Sequence, residues 1–167
     1  MSWYWLVVFV GSLAGCVYIY FGYPLLILAL SRVSTRPVRS APIEPSVSVI
    51  LAAFNEAATI AAKIENTAAL DYPRDRLQMI VASDGSTDGT AEVARGKRAD
   101  WVDVLELPRA GKLASINSAV AEAAGDILLL TDAKTVLETD ALRSMVEPFA
   151  DDEVGGVCGN QEYRVMG

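Results

Sequence analysis

The sequence predicts an α/β domain with a mostly parallel sheet, preceded by one transmembrane helix. Three observations predict it. No side chain from Met1 to Ser31 is charged, and most of that stretch is apolar. From Val47 onward, short apolar β-branched runs alternate with stretches of helical periodicity. Polar residues then concentrate in the four loops that follow the expected strands.

In chain order, Trp5 to Leu30 is a run of 26 residues dominated by Leu, Val, Ile, Phe, Tyr and Ala. A helix needs about 20 apolar residues to cross ~30 Å of hydrocarbon. Tilting would absorb the excess, as would a break at Gly22-Tyr23-Pro24, because Pro removes a helix hydrogen bond. Trp3, Tyr4 and Trp5 stand at one end, where amphipathic rings favour the headgroup region. Arg32, Arg36 and Arg39 follow the other end, so the positive-inside bias puts the N-terminus outside and the rest of the chain in the cytoplasm, at an inner or plasma membrane. A cleaved signal peptide fits poorly, since no Lys or Arg precedes the apolar core and the core is too long. Leu13-Ala14-Gly15-Cys16 resembles a lipoprotein cleavage box, but the residues after Cys16 stay apolar. Residues 1–31 are therefore expected to be a retained anchor, with Cys16 a small residue at lipid depth. Residues 32–46, with Pro37, Pro42, Pro45 and three Arg, read as an extended linker.

Composition excludes several functions. The net charge is −7, from 14 basic and 21 acidic residues, which argues against a nucleic-acid-binding surface. Two Cys make neither a disulfide framework nor a four-ligand zinc site. The absence of His removes Ser-His-Asp, Cys-His and HExxH chemistry.

The domain, residues 47–167, is expected to begin with a strand at Val47-Ser48-Val49-Ile50-Leu51. A helix over Glu56 to Ala69 follows, with Ile60 and Ile64 one turn apart. Leu77 to Ala82 reads as a strand, and Asp88 to Ala99 as a helix that Thr87 or Asp88 would cap. Trp101 to Leu107 is a third strand. Lys112 to Ala124 is a helix with Leu113, Ile116 and Val120 on one face, and Asp126 to Thr131 is a fourth strand. In Thr139 to Phe149, Leu142, Met145, Val146 and Phe149 form a helical stripe; Val154 to Gly159 is expected to be a fifth strand. Strands joined by helices at this spacing make a parallel sheet covered on both faces.

In such sheets ligands bind beyond the C-terminal strand ends. Here those are Ala53 to Glu56, Ser83 to Asp88, Pro108 to Lys112 and Asp132 to Thr135. Asp84-Gly85-Ser86-Thr87-Asp88-Gly89-Thr90 mimics a calcium loop, but its twelfth position is Arg95 and no helix precedes it. Neither GxGxxG nor GxxxxGK[ST] is present. A capped tight turn explains Gly85, Thr87 and Gly89. It does not require Asp84, whose carboxylate is able to accept hydrogen bonds from a nucleobase N–H or a ribose hydroxyl. Lys112 opens a helix, where a cation opposes the dipole, so a partner anion such as phosphate is expected there. Asp132, directly after an apolar strand, is either a cap or a ligand contact.

With those residues in view, Val47 to Arg164 resembles the first half of a family 2 glycosyltransferase, whose GT-A fold is Rossmann-like. The resemblance rests on four motifs in order. They are Val47-Ser48-Val49-Ile50-Leu51-Ala52-Ala53-Phe54-Asn55-Glu56, Asp84-Gly85-Ser86-Thr87-Asp88-Gly89-Thr90, Gly111-Lys112 with Ile116-Asn117, and Leu129-Leu130-Thr131-Asp132-Ala133-Lys134-Thr135. It implies an inverting transfer from a nucleotide-sugar, most often a UDP-sugar, to a growing polysaccharide or a lipid-linked acceptor. It places Phe54 against the base, with Asn55 and Glu56 shaping the nucleoside pocket and Asp84 contacting the base. Lys112 would lie near the base or diphosphate, and Asp132 would contact the ribose or a metal-bound diphosphate. A divalent Mg²⁺ or Mn²⁺ would neutralise the leaving nucleoside diphosphate.

Three departures from the family pattern stand out. Lys134 replaces the second acid of Asp-x-Asp, and either neutralises phosphate directly or is a solvated loop lysine. Ala52-Ala53 replaces a common Pro, and Ser83 precedes Asp84 where an Asp-Asp pair is common. The resemblance implies a general base that is expected beyond Gly167; Glu147, Asp151, Asp152 and Glu153 read as a helix end and a surface turn. The chain is thus expected to supply the donor half of a longer membrane enzyme. The alternative is a non-catalytic, membrane-anchored nucleotide-sugar-binding module. A nucleotidyltransferase would want an Arg/Lys-containing Gly-rich loop after the first strand, which Ala52 to Glu56 lacks.

Overall fold

The computed structural model describes residues 2–33, 36–97 and 100–162, in two compact units that divide after Val38. The first unit is one helix, Ser2–Val33, long and apolar enough to cross a membrane. It runs as α1 (Ser2–Val17), a π-helical turn (Tyr18–Gly22) and α2 (Tyr23–Val33). The expected break before Pro24 is a change of register rather than an end. The Tyr23 N–H bonds the Tyr18 carbonyl five residues back, next to the place where Pro24 offers no N–H. Ser12 and Ser31 donate their hydroxyls to the carbonyls of Val8 and Leu28, so neither needs water.

The second unit is a four-stranded sheet. Its strands are β1 (Val47–Ala53), β2 (Leu77–Asp84), β3 (Val102–Leu107) and β4 (Ile127–Thr131), in the order β3-β2-β1-β4. Every pairing is parallel, with Val47 opposite both Leu77 and Ile127. The two central strands are almost wholly buried, as β-branched and aliphatic runs require when both faces are covered. Four helices connect or follow them: α3 (Ala57–Ala68), α4 (Thr90–Gly96), α5 (Lys112–Ala121) and α6 (Ala141–Val146). Val47, Val49, Leu51, Met79 and Val81 pack on one face with Ile60 and Ile64 of α3, Ala94 of α4, and Leu142 and Val146 of α6. Ile50, Ile80 and Ala82 pack on the other face with Ala119 and Ile116 of α5. Because the chain goes outward from β1 to β3 and then returns to β4 on the opposite side, the sheet has its switch point between β1 and β4.

Several boundaries differ from the sequence reading. Pro148 ends the α-helical bonding of α6, and Glu147–Ala150 continues as a 3₁₀ turn. Gly89 takes the N-cap position of α4 with φ +87°, while Asp88 supplies the acceptor for the Thr90 N–H at 3.0 Å. The expected fifth strand, Val154 to Gly159, does not form. Among the described residues the segment pairs with no strand, and a space of about 360 Å³ is lined by Val157 together with Leu128 of β4, Leu142 and Met145. A strand exists only through its ladder, and among the described residues β4 pairs with β1 alone. Cys158, on this segment, is exposed for the same reason.

Residues 39–46 form no helix or strand but lie on the domain. The Arg39 N–H bonds Asp151, the Tyr72 hydroxyl bonds the Pro45 carbonyl, and Arg143 joins Glu44 and Asp71. The Ser46 N–H and hydroxyl both bond Asp126, immediately before β4. A Cβ at Gly125 would meet the Ser48 N–H at 2.5 Å, so only glycine allows this turn to close on β1.

Candidate functional site

Each strand of the sheet ends in one of the four loops read from the sequence, and side chains join those loops into a ring. The loop after β1 meets the loop after β2 through Asn55, which holds φ +55°. The Asn55 N–H donates to the Ser86 hydroxyl at 3.2 Å, and its side-chain oxygen accepts the Thr87 N–H at 2.9 Å. The Glu56 and Ala57 N–H groups donate to Thr90 and Asp88, which satisfies two of the open donors at the start of α3. Asn55 is thus a joint between loops. Ser83, buried where a second acid is common, bonds the Ser86 hydroxyl at 2.9 Å.

Asp84 joins the loop after β2 to the loop after β3. One carboxylate oxygen accepts the Ala110 and Gly111 N–H groups at 2.8 and 3.0 Å, and the other accepts Arg109 at 2.6 Å. The Ala110 N–H, then the Gly111 N–H and the Arg109 charge, hold this carboxyl below the usual carboxylate range against the opposing effect of burial. Gly85, at φ +64°, lets the Arg109 backbone approach to 2.8 Å of where a Cβ would stand. Arg109 also lies over the Phe54 ring, with its guanidinium carbon 3.5 Å from the centroid.

The loop after β3 meets the loop after β4 through Lys112 and Asp132, whose charged atoms are 2.6 Å apart in an exposed pair. The ring closes where Lys134, after β4, approaches Glu56, after β1, at 3.5 Å. Phe54, Asn55, Glu56, Asp84, Lys112, Asp132 and Lys134 therefore all stand on one sheet rim, astride the switch point. Asp84 is nearly fully buried, whereas Phe54, Lys112, Asp132 and Lys134 are exposed.

Two residues of this arrangement escaped the sequence reading. Arg109 lies in a loop that was singled out, directly before Ala110-Gly111-Lys112, yet nothing in its spacing marks it as the plane over Phe54. Lys63 shares the helical spacing of Ile60, Ile64 and Thr67 on the buried face of α3, which is the signal that could have found it. Its ammonium is buried and donates to the Thr135 carbonyl at 2.7 Å, beneath the loop that carries Asp132.

Among the described residues no group of three or more His, Cys, Asp or Glu side chains is placed to hold a metal ion. Asp132 offers one exposed carboxylate. That donor suits a hard cation whose remaining ligands are diphosphate oxygens. Lys134 adds no second acid.

Comparison with known proteins identifies the family and agrees with the fold. The family description "Glycosyl transferase family 2" matches residues 48–167. The chain is 31% identical to the poly-beta-1,6-N-acetyl-D-glucosamine synthase of Staphylococcus aureus (strain COL), over 98% of this chain and 37% of that protein. It is 33% identical to the probable glycosyltransferase YdaM of Bacillus subtilis (strain 168), over 73% of this chain and 30% of that protein. Among solved structures, the mannosyltransferase of Pyrobaculum calidifontis in complex with GDP-Man and Mn²⁺ superposes with a TM-score of 0.71 at 34% identity, covering 85% of this chain and 44% of that one. S. aureus TarS 1–349 in complex with UDP-GlcNAc superposes with a TM-score of 0.54 at 25% identity, covering 59% of this chain and 29% of that one. The chain spans about a third of the length of the curated relatives it matches.

Proposed function

The chain belongs to glycosyl transferase family 2, and from that premise we propose that its four-loop rim binds the nucleoside diphosphate of a sugar nucleotide, a UDP-sugar first, for an inverting transfer to a polysaccharide or lipid-linked acceptor at a membrane. The observation that carries this reading is the closed ring of loops at the β1/β4 switch point. It sets an aromatic face, a buried carboxylate and exchangeable cations side by side. Neighbours of this fold bind UDP-GlcNAc and GDP-Man, which supports a sugar nucleotide as the ligand.

The Phe54 ring offers a stacking face for the base. Arg109 already covers it at stacking distance, so a planar cation fills the space that a planar base would take or extend. Asp84 fixes Arg109 and the N–H groups that open α5, and so sets the floor of the nucleoside pocket. Asn55 and Glu56 hold that floor to the first loop. Lys112 and Asp132 pair directly but at the exposed surface, and such pairs contribute little, so a diphosphate can draw the Lys112 ammonium to its own oxygens. Lys134, facing Glu56, is the second cation within reach of that charge. A Mg²⁺ or Mn²⁺ held by Asp132 would neutralise the charge that develops on the departing diphosphate. The general base is not assigned to any of these residues. We further read Ser2–Val33 as a membrane span that leaves the domain on the side of Arg32, the cytoplasm.

Calorimetric titration of the detergent-solubilised protein with UDP and GDP tests the donor site. The wild type is expected to bind UDP, and Asp84→Ala is expected to abolish that binding. Unchanged affinity in the variant would remove Asp84 from the pocket, and tighter GDP than UDP binding would replace the UDP-sugar by a GDP-sugar.

A further inference from the structure

The buried face of α3 reads Ile60, Lys63, Ile64, Thr67, and Lys63 is only 2% exposed. An ammonium in such a stripe is desolvated, and burial pushes it down to about 8, against an opposing attraction to Asp132. A buried charge is unfavourable unless it is paired and hydrogen-bonded. The fold uses this one beneath the loop after β4. The Lys63 ammonium donates to the Thr135 carbonyl at 2.7 Å. One turn along the same face, Asn66 bonds both backbone groups of Leu137, at 2.8 and 2.9 Å. Thr135 in turn closes a tight turn by donating its N–H to the Asp132 carbonyl at 3.2 Å. Two side chains of α3, three residues apart, therefore grip the loop that presents Asp132.

A neutral donor would satisfy the Thr135 carbonyl at a smaller desolvation penalty. What a lysine adds is a buried positive charge that attracts Asp132, whose carboxylate also pairs with the exposed ammonium of Lys112. We infer that Lys63 is a positioning residue for the diphosphate half of the donor site, holding the Asp132–Thr135 turn from beneath and supplying a buried positive charge that Asp132 and the incoming phosphates share. This rests on the donor-site reading above. The nucleoside half, built on Phe54, Asp84 and Arg109, lies on other loops and is independent of Lys63.

The test is calorimetry on the full chain, titrated with UMP and with UDP in Mn²⁺-containing buffer, alongside thermal unfolding. Lys63→Met keeps the length and apolar stem of the side chain and removes the charge. It is expected to melt at or above the wild-type temperature, to keep UMP affinity within about twofold, and to lose about tenfold or more of the advantage of UDP over UMP. Lys63→Arg, which restores the charge, is expected to recover part of that advantage. A Lys63→Met protein with the wild-type UDP-to-UMP ratio would overturn the inference while leaving the donor site standing. Equal losses for both nucleotides together with a lower melting temperature would make Lys63 a residue of the fold alone, and would also overturn it. A wild-type protein that binds neither nucleotide would remove the donor-site reading, and this inference with it.

Discussion

Arg109 shows how one side chain acts on two others. Its guanidinium bonds the buried Asp84 carboxylate and lies over Phe54, and both contacts come from a loop whose backbone Asp84 also holds. Arg109→Ala is expected to weaken UDP binding about tenfold in calorimetry, because the carboxylate loses its cation and the ring its flat neighbour. Arg109→Lys, with charge but no plane, is expected to fall between the two. Tighter UDP binding by Arg109→Ala would show instead that Arg109 blocks the ring. Asp84 was legible in the sequence because it stands at the end of a recognisable strand, and Phe54 only through the resemblance to a family motif. Arg109 was not, since its role arises only when the ends of β1, β2 and β3 lie side by side.

At the scale of elements, the loops are held together by carboxylates that accept backbone N–H groups and hydroxyls. Asp84 takes two N–H groups from the loop after β3. Asp88 takes the Thr90 hydroxyl and the Ala57 and Thr90 N–H groups, and Asp126 takes the Ser46 hydroxyl and N–H. In each case these bonds hold the carboxyl below the ordinary value of 3.8. A depressed folded-state value means that the unfolded chain binds protons first as the pH falls. The stability these groups contribute is therefore complete above their ordinary value and is lost as the pH falls through the depressed one. Urea midpoints of the detergent-solubilised protein are expected to be flat from pH 7 to 5 and to drop below about pH 4, with a smaller drop in Asp88→Asn. A midpoint that stays constant down to pH 2.5 would show that these bonds do not stabilise the loops. The helix-to-strand alternation was readable from periodicity. The failure of Val154 to Gly159 to become a strand was not, because apolar content signals the capacity to pair and says nothing of whether an edge is there to pair with.

For the whole molecule, the apolar helix and the domain are two units, and the reading that joins them is topological. A cysteine placed near Ser2, in a protein whose Cys16 and Cys158 are replaced by Ser, is expected to react with an impermeant thiol reagent on intact cells. Labelling only after lysis would reverse the orientation. The sequence by itself determined the uncharged span, the parallel α/β layout and the four loops, because those depend on local composition, on periodicity and on the rule that ligands gather at strand C-termini. Only the tertiary structure decided that Asn55 is a joint, that Asp84 is buried under Arg109, that residues 39–46 lie on the domain, and that Lys63 reaches beneath the Asp132 loop. Those facts depend on which strand ends become neighbours and how closely they approach, and distances between residues remote in the chain leave no periodic trace in it.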